Sequence, residues 1–130
     1  MAKILVIDDE PQVRRAICQM LARGGHTAVE ATDGLEGLKL ARAEQPDLVI
    51  TDIMMPNKEG IETIRDLRRD APDLPILVMS GNSGSSLYLQ MATLLGAHAA
   101  LSKPFRSADL LAAVADLLRP GAASAASRPE

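Results

Sequence analysis

The sequence predicts an α/β domain built on a parallel sheet, and three observations carry the prediction. Five short apolar runs alternate strictly with segments whose apolar residues recur at helical spacing. The first run, Lys3-Ile-Leu-Val-Ile7, is apolar without interruption, the pattern of a strand covered on both faces. Several runs end in a charged or polar residue: Asp8-Asp9 after the first, Asp52 at the third, Ser80 at the fourth, Lys103 after the fifth. Strict β-α alternation implies helices on both faces of the sheet and right-handed crossovers.

Each element has a local reason. The first strand is followed by Pro11, whose missing N–H is not needed in a helix's first turn. Val13, Ile17, Met20 and Leu21 then form one stripe, stopped by Gly24-Gly25. Residues 27–31 read as a short second strand. Asp33 can cap a second helix with Leu35, Leu38 and Ala41 or Arg42 as its stripe, and Pro46 ends it. The third strand is 48–52. A third helix from Glu59 to about Asp70 carries Ile61, Ile64 and Leu67, with Pro72 and Pro75 beyond its exit. The fourth strand is 76–80, and Gly81-Asn-Ser-Gly-Ser-Ser86 reads as a flexible loop. A helix over 87–95 ends at Gly96, a fifth strand covers 98–102, and a last helix runs over 107–119. The domain is therefore 1–120. The tail 121–130 has nothing to bury and reads as disordered, or as the start of a linker.

Composition narrows the function. A chain of 130 residues with 47% hydrophobic residues fits one domain with a real core, and 2% aromatics makes that core aliphatic. A net charge of −3, no dense basic cluster, and only Tyr88 and Phe105 as aromatics argue against direct nucleic-acid binding. No apolar run is long enough to cross a bilayer, and no signal peptide precedes the first strand. The single Cys18 reads as a small packing residue, compatible with a reducing cytoplasm.

The strand ends carry the chemistry. In open α/β sheets ligands bind beyond the carboxyl ends of the strands. That rule brings Asp8, Asp9, Asp52, Ser80 and Lys103 to one edge. Acidic residues at such places often serve only as caps or helix-dipole partners. Several carboxylates in one crevice repel, however, and one lysine leaves excess negative charge that a Mg²⁺ ion would balance. Asp52 is the candidate nucleophile toward phosphorus, and Lys103 and the Ser80 hydroxyl are candidate partners for phosphoryl oxygens.

These residues, in the strings Asp8-Asp9-Glu10-Pro11, Asp52-Ile-Met-Met-Pro56 with Gly60, Ser80-Gly81 and Lys103-Pro104-Phe105, resemble the receiver domain of two-component response regulators. Order and spacing match over residues 3 to about 119. The resemblance implies a flavodoxin-like (βα)5 three-layer sandwich with strand order 2-1-3-4-5. It implies that Asp52 accepts a phosphoryl group from a sensor histidine kinase or histidine phosphotransfer protein. It further implies Mg²⁺ on Asp8, Asp9, Asp52 and the main-chain carbonyl of Met54. Ser80 and Lys103 would contact the phosphoryl group, and the Lys103–Pro104 bond would be cis. Such a cytoplasmic switch is no enzyme beyond catalysing its own phosphorylation and autodephosphorylation.

Three positions depart from the common pattern. Ala100 stands where many receivers carry an aromatic switch residue, so any signal must pass through residues 81–86 and the helix after them. Met54 and Asn82 occupy positions that influence the attacking water, and a hydrophobic Met54 would slow hydrolysis. In the 87–95 helix, Tyr88, Met91, Ala92 and Leu95 can face the sheet, which turns Leu87, Leu89 and Leu94 partly outward. This suggests an effector or homodimer surface formed by that helix, the fifth strand and the last helix. A phosphohydrolase would usually carry an acidic residue at position 54. A flavodoxin-like cofactor binder would need a phosphate-cradling loop where Asp8-Asp9-Glu10 stands. A degenerate receiver that only docks is the alternative.

Overall fold

The computed structural model describes residues 2–53, 59–80, 90, 94, 96–102 and 105–119. Met54, Lys103, the Lys103–Pro104 bond, the 81–86 loop, Leu87, Leu89 and the 121–130 tail lie outside the described residues. Five strands, β1 (Lys3–Ile7), β2 (Thr27–Ala31), β3 (Leu48–Asp52), β4 (Ile76–Ser80) and β5 (Ala99–Ser102), form one parallel sheet in the order β2-β1-β3-β4-β5. The described helices are α1 (Pro11–Arg23), α2 (Gly34–Glu44), α3 (Glu59–Asp70) and α4 (Ser107–Leu118). Of the helix expected over 87–95, Gln90 and Leu94 are described; both are helical, and Leu94 is 87% exposed.

Side-chain alternation along the strands builds two cores. Leu5, Ile7, Val49, Ile76 and Val78 face one side with Ile64 and Leu67 of α3, and partly buried Leu38 and Ala41 of α2 pack against them. Ile4, Val6, Leu48, Ile50, Leu77 and Met79 face the other side with Ile17 and Leu21 of α1 and Leu110, Val114 and Leu117 of α4. Each fully buried aliphatic side chain contributes roughly 1.5–3 kcal/mol, so this double layer fixes the strands and with them the loops at their ends. No described helix is long and apolar enough to cross a membrane.

Most boundaries agree with the sequence reading. Asp33 accepts a hydrogen bond from the Glu36 N–H at 2.8 Å, the expected cap of α2. The fifth strand is one residue shorter than expected. The His98 ring accepts a hydrogen bond from the Ile76 N–H at the base of the sheet, and β5 begins at Ala99. The last helix ends at Leu118, because Arg119 is extended.

One stripe differs from the sequence reading, and a second carries an unexpected member. In α2, Leu35 is 64% exposed and Arg42 also faces solvent, while Gly34 and Gly37 are buried. The cause is a close approach: a Cβ on Gly37 would overlap the Ile7 side chain, so this helix lays its glycine face on β1. In α1 the stripe of Ile17 and Leu21 holds, but it also sinks Arg14 to 8% exposure. Cys18 packs half-buried beside the α1 core. Burial and the neighbouring Glu30 push its thiol up to about 11 against an opposing pull from Arg14, which leaves it protonated and unreactive at neutral pH.

Candidate functional site

The carboxyl edge of the sheet is assembled by strand pairing. Asp52 is the last residue of β3, a central strand, and stands opposite Met79 of β4. Ile53 continues the ladder by donating its N–H to the Met79 carbonyl at 3.0 Å. Asp8 directly follows β1 and extends that strand's pairing, with its N–H donated to the Ala31 carbonyl at 3.1 Å. Ser80 ends β4 opposite Ser102. The parallel register thus delivers a side chain from each of three adjacent strands to one crevice, because all three strands run toward the same edge.

Burial separates these residues from ordinary surface acids. Asp8 is fully buried and Asp52 is 4% exposed. Asp8, Glu10 and Asp52 each offer a carboxylate oxygen, and these oxygens lie within 4.8 Å of one another. At that separation two carboxylates repel by about 3 kcal/mol at an effective dielectric of ~20. Hard oxygen donors at this spacing, most of them withdrawn from water, suit a small divalent cation that keeps some of its own waters. The Ser80 hydroxyl adds a second sign of a ligand. Its Oγ is buried and has no hydrogen-bond partner among the described residues, where buried polar atoms are nearly always paired.

The acidic group differs in one member from the sequence expectation. Asp9 is exposed and lies outside the group, and Glu10 occupies a place in it. The local backbone explains this. The Glu10 N–H donates to Asp8 Oδ1 at 2.9 Å, an Asx-type turn that folds the chain back over Asp8. Glu10 then sits in extended conformation at the N-terminus of α1, immediately before Pro11. The run of three acids, Asp8-Asp9-Glu10, was visible in the sequence, but which two turn inward depends on that turn. Ala100 is confirmed on β5, paired with Val78 and exposed. Met54 and Lys103 fall outside the described residues, so their places in the site remain expectations.

Sequence reasoning missed Arg14. It is buried in α1 and donates from Nη1 to the Asp8 carbonyl at 2.8 Å and from Nε to Glu30 Oε1 at 2.8 Å. The signal was present as an arginine one residue after Val13, within the apolar face of α1.

Comparisons with known proteins agree with this architecture. Residues 4–115 match the response regulator receiver domain model. A response regulator MprA from Mycobacterium ulcerans is 40% identical over 118 residues, which cover 90% of this chain and 50% of the relative. A second MprA, from Mycolicibacterium vanbaalenii, is 41% identical over the same shares of the two chains. The chain thus spans about half the length of the curated relatives it matches. Among solved structures, a response regulator receiver domain protein from Clostridium thermocellum superposes with a TM-score of 0.87 at 30% identity, covering 92% of this chain and 96% of that one. NtrX from Brucella abortus superposes at 0.86 with 27% identity, covering 92% of this chain and 27% of its own. A family match across the whole sheet, on a fold whose central strand ends in a buried aspartate, shows that this chain belongs to the response regulator receiver domains of two-component signalling systems.

Proposed function

We propose that this domain is a phosphoacceptor switch in which Asp52 takes a phosphoryl group from the phosphohistidine of a sensor kinase or histidine phosphotransfer protein. The observation that carries this reading is the burial of Asp52 at the end of β3, within 4.8 Å of the Asp8 and Glu10 carboxylates. A carboxylate oxygen of Asp52 attacks phosphorus, the O–P bond forms, and the P–N bond breaks with its electron pair left on the imidazole ring. Hydrolysis by water later releases phosphate and restores the carboxylate. The residues fit Mg²⁺ on Asp8, on Asp9 or Glu10, on Asp52 and on the Met54 carbonyl, where the ion would supply positive charge to the transferring phosphoryl oxygens. Ser80 Oγ is the donor for one phosphoryl oxygen, and Lys103 is assigned to another.

The domain acts by changing state rather than by turning over a substrate, so its own phosphorylation and dephosphorylation are its only chemistry. The output is a shift in the region 81–102, read by an effector or a second copy through the face of the 87–95 segment, β5 and α4. Exposed Leu94 lies in that region. Met54, two positions after the acceptor in the sequence, slows hydrolysis, and a Met54→Asn variant should lose its phosphoryl group faster; an unchanged rate counts against that role.

The test is covalent uptake. The protein is incubated with acetyl phosphate and Mg²⁺, and intact mass is read beside Asp52→Asn and a chelator control. One base-labile adduct that requires both Asp52 and Mg²⁺ is the expected result. No adduct with acetyl phosphate, or with a panel of histidine kinases, overturns the reading in favour of a docking module that is never phosphorylated.

A further inference from the structure

Arg14 is a buried cation placed directly behind the acidic pocket. Its side chain is 10% exposed, and its bonds to Glu30 and to the Asp8 carbonyl are short. Glu30, on β2, accepts from Nε at 2.8 Å and sets the plane of the guanidinium. With that plane fixed, Nη1 points at the Asp8 carbonyl, which accepts at 2.8 Å. The guanidinium is a rigid fork, so one bond aims the other.

The consequence falls on Asp8. Its N–H is held by the Ala31 carbonyl at 3.1 Å, and its own carbonyl by Arg14. The peptide groups on both sides of the residue are therefore fixed. Its Oδ1 accepts from the Glu10 N–H at 2.9 Å, which passes that constraint to the next acid of the group. The permanent charge of the guanidinium also offsets part of the repulsion among the three carboxylates.

We infer that Arg14 is a positioning residue: steered by Glu30, it holds the Asp8–Glu10 turn in the form that receives a divalent cation, without touching the ion or the phosphoryl group. This rests on reading the acidic group as the Mg²⁺ site. Two effects oppose each other here. A cation near the site repels Mg²⁺, while a fixed Asp8 favours it. The geometry points to the second as the larger, because Arg14 bonds to the main chain of Asp8.

Lysine separates the two effects, since it keeps the charge but lacks the rigid fork through which one bond aims the other. The full chain is titrated with MgCl2 by calorimetry, and urea unfolding is followed on the same samples. Arg14→Lys should weaken Mg²⁺ binding about tenfold, the range seen when residues that orient metal ligands are changed. Glu30→Ala, a change at a half-exposed site, should weaken it about threefold. The rate of adduct formation on Asp52 in both variants should recover at saturating Mg²⁺. If Arg14→Lys does not fold, Glu30→Ala decides. Mg²⁺ binding equal to or tighter than wild type in the folded variants overturns the inference, as does a loss of unfolding midpoint with no loss of Mg²⁺ affinity. A wild-type chain that binds Mg²⁺ but forms no adduct removes the phosphoacceptor reading and leaves this one standing. A wild-type chain that binds no Mg²⁺ removes this one.

Discussion

The two edges of the sheet are built on opposite terms. At the amino edge, polar groups are paired across elements. Lys3 and Asp47 exchange hydrogen bonds through Lys3 N–H to Asp47 Oδ2 at 2.9 Å and Asp47 N–H to the Lys3 carbonyl at 2.7 Å. The Ala2 N–H donates to His26 Nδ1 at 3.2 Å. Arg68, at the end of α3, donates to the carbonyls of Leu74 at 3.1 Å and Gly96 at 2.6 Å, and also to those of Ala71 and Pro72. Its Nη2 lies 3.0 Å from His98 Nδ1, which also accepts from the Ile76 N–H at 3.1 Å. At the carboxyl edge three like charges crowd together, and the Ser80 hydroxyl is buried without a partner among the described residues. The amino edge is closed by bonds between elements, while the carboxyl edge gathers carboxylates and a buried hydroxyl at a place where a ligand would add further partners.

Removing Arg68 should give the largest effect on stability. Arg68→Ala strips donors from several main-chain carbonyls at once, and a charged donor to a partly buried carbonyl is worth about 1.5–3 kcal/mol. A loss of about 3 kcal/mol in urea unfolding is the expected outcome, with phosphoryl uptake at Asp52 unchanged at temperatures where the variant stays folded. A loss below about 1 kcal/mol would remove Arg68 as the anchor of this edge. Gly96→Ala should follow at about 2 kcal/mol, since Gly96 has φ +120° and an added Cβ would come within 2.6 Å of Arg68 Nε. In an Arg68→Ala background the steric part of the Gly96→Ala cost should vanish and only the backbone part remain; additive losses would mean the two residues are uncoupled.

How much of this was legible in the sequence differs by edge. The strands could be read, because uninterrupted or alternating apolar runs encode burial directly, and β1, β2, β3 and β4 fell within their expected bounds. Asp8, Asp52 and Ser80 could be placed because a parallel sheet turns the end of each strand toward one crevice. What could not be read were side chains whose role depends on another element. Arg14 has a role only once β2 supplies Glu30 and the residue after β1 supplies the Asp8 carbonyl. Leu35 had helical spacing with Leu38 but is exposed, because the approach of Gly37 to Ile7 sets the roll of α2. Glu10, which had no assigned place, joins Asp8 and Asp52 beside a turn in which its N–H donates to Asp8, while Asp9 is exposed. Arg68 and His98 form the amino-edge network across thirty residues of sequence, and nothing local marks them as partners.

Ser80→Ala tests the opposite edge. Deleting a buried hydroxyl that lacks a partner among the described residues relieves its desolvation, so stability should stay level or rise by about 1 kcal/mol. Uptake of the phosphoryl group at Asp52 should still occur, and the conformational response to it should weaken. A clear loss of stability would show that the hydroxyl is already satisfied, and the contrast between the edges would narrow.

The smallest effect is a pH dependence confined to the amino edge. Burial first, and the Arg68 charge second, hold His98 below its usual value of 6.5. The geometry has the same sense, because Nδ1 accepts from the Ile76 N–H and so must carry no proton, which leaves the single proton on Nε2. Above about pH 6.5 the ring is neutral in both the folded and unfolded chains, and its contribution is fully present. As pH falls below that value the unfolded chain takes up a proton that the folded chain refuses, so stability declines until the folded-state value is passed and then levels off. The informative quantity is the difference between wild type and His98→Asn in urea unfolding between pH 7.5 and pH 5.5. The variant should lose less stability on acidification than the wild type. Its residual slope should be unaffected by Ser80→Ala, since that residue belongs to the other edge. Equal slopes in wild type and His98→Asn would mean that the folded chain takes up the proton as readily as the unfolded one and gives up the bond from Ile76 at no cost. The amino edge would then be as adaptable as the edge that carries the chemistry.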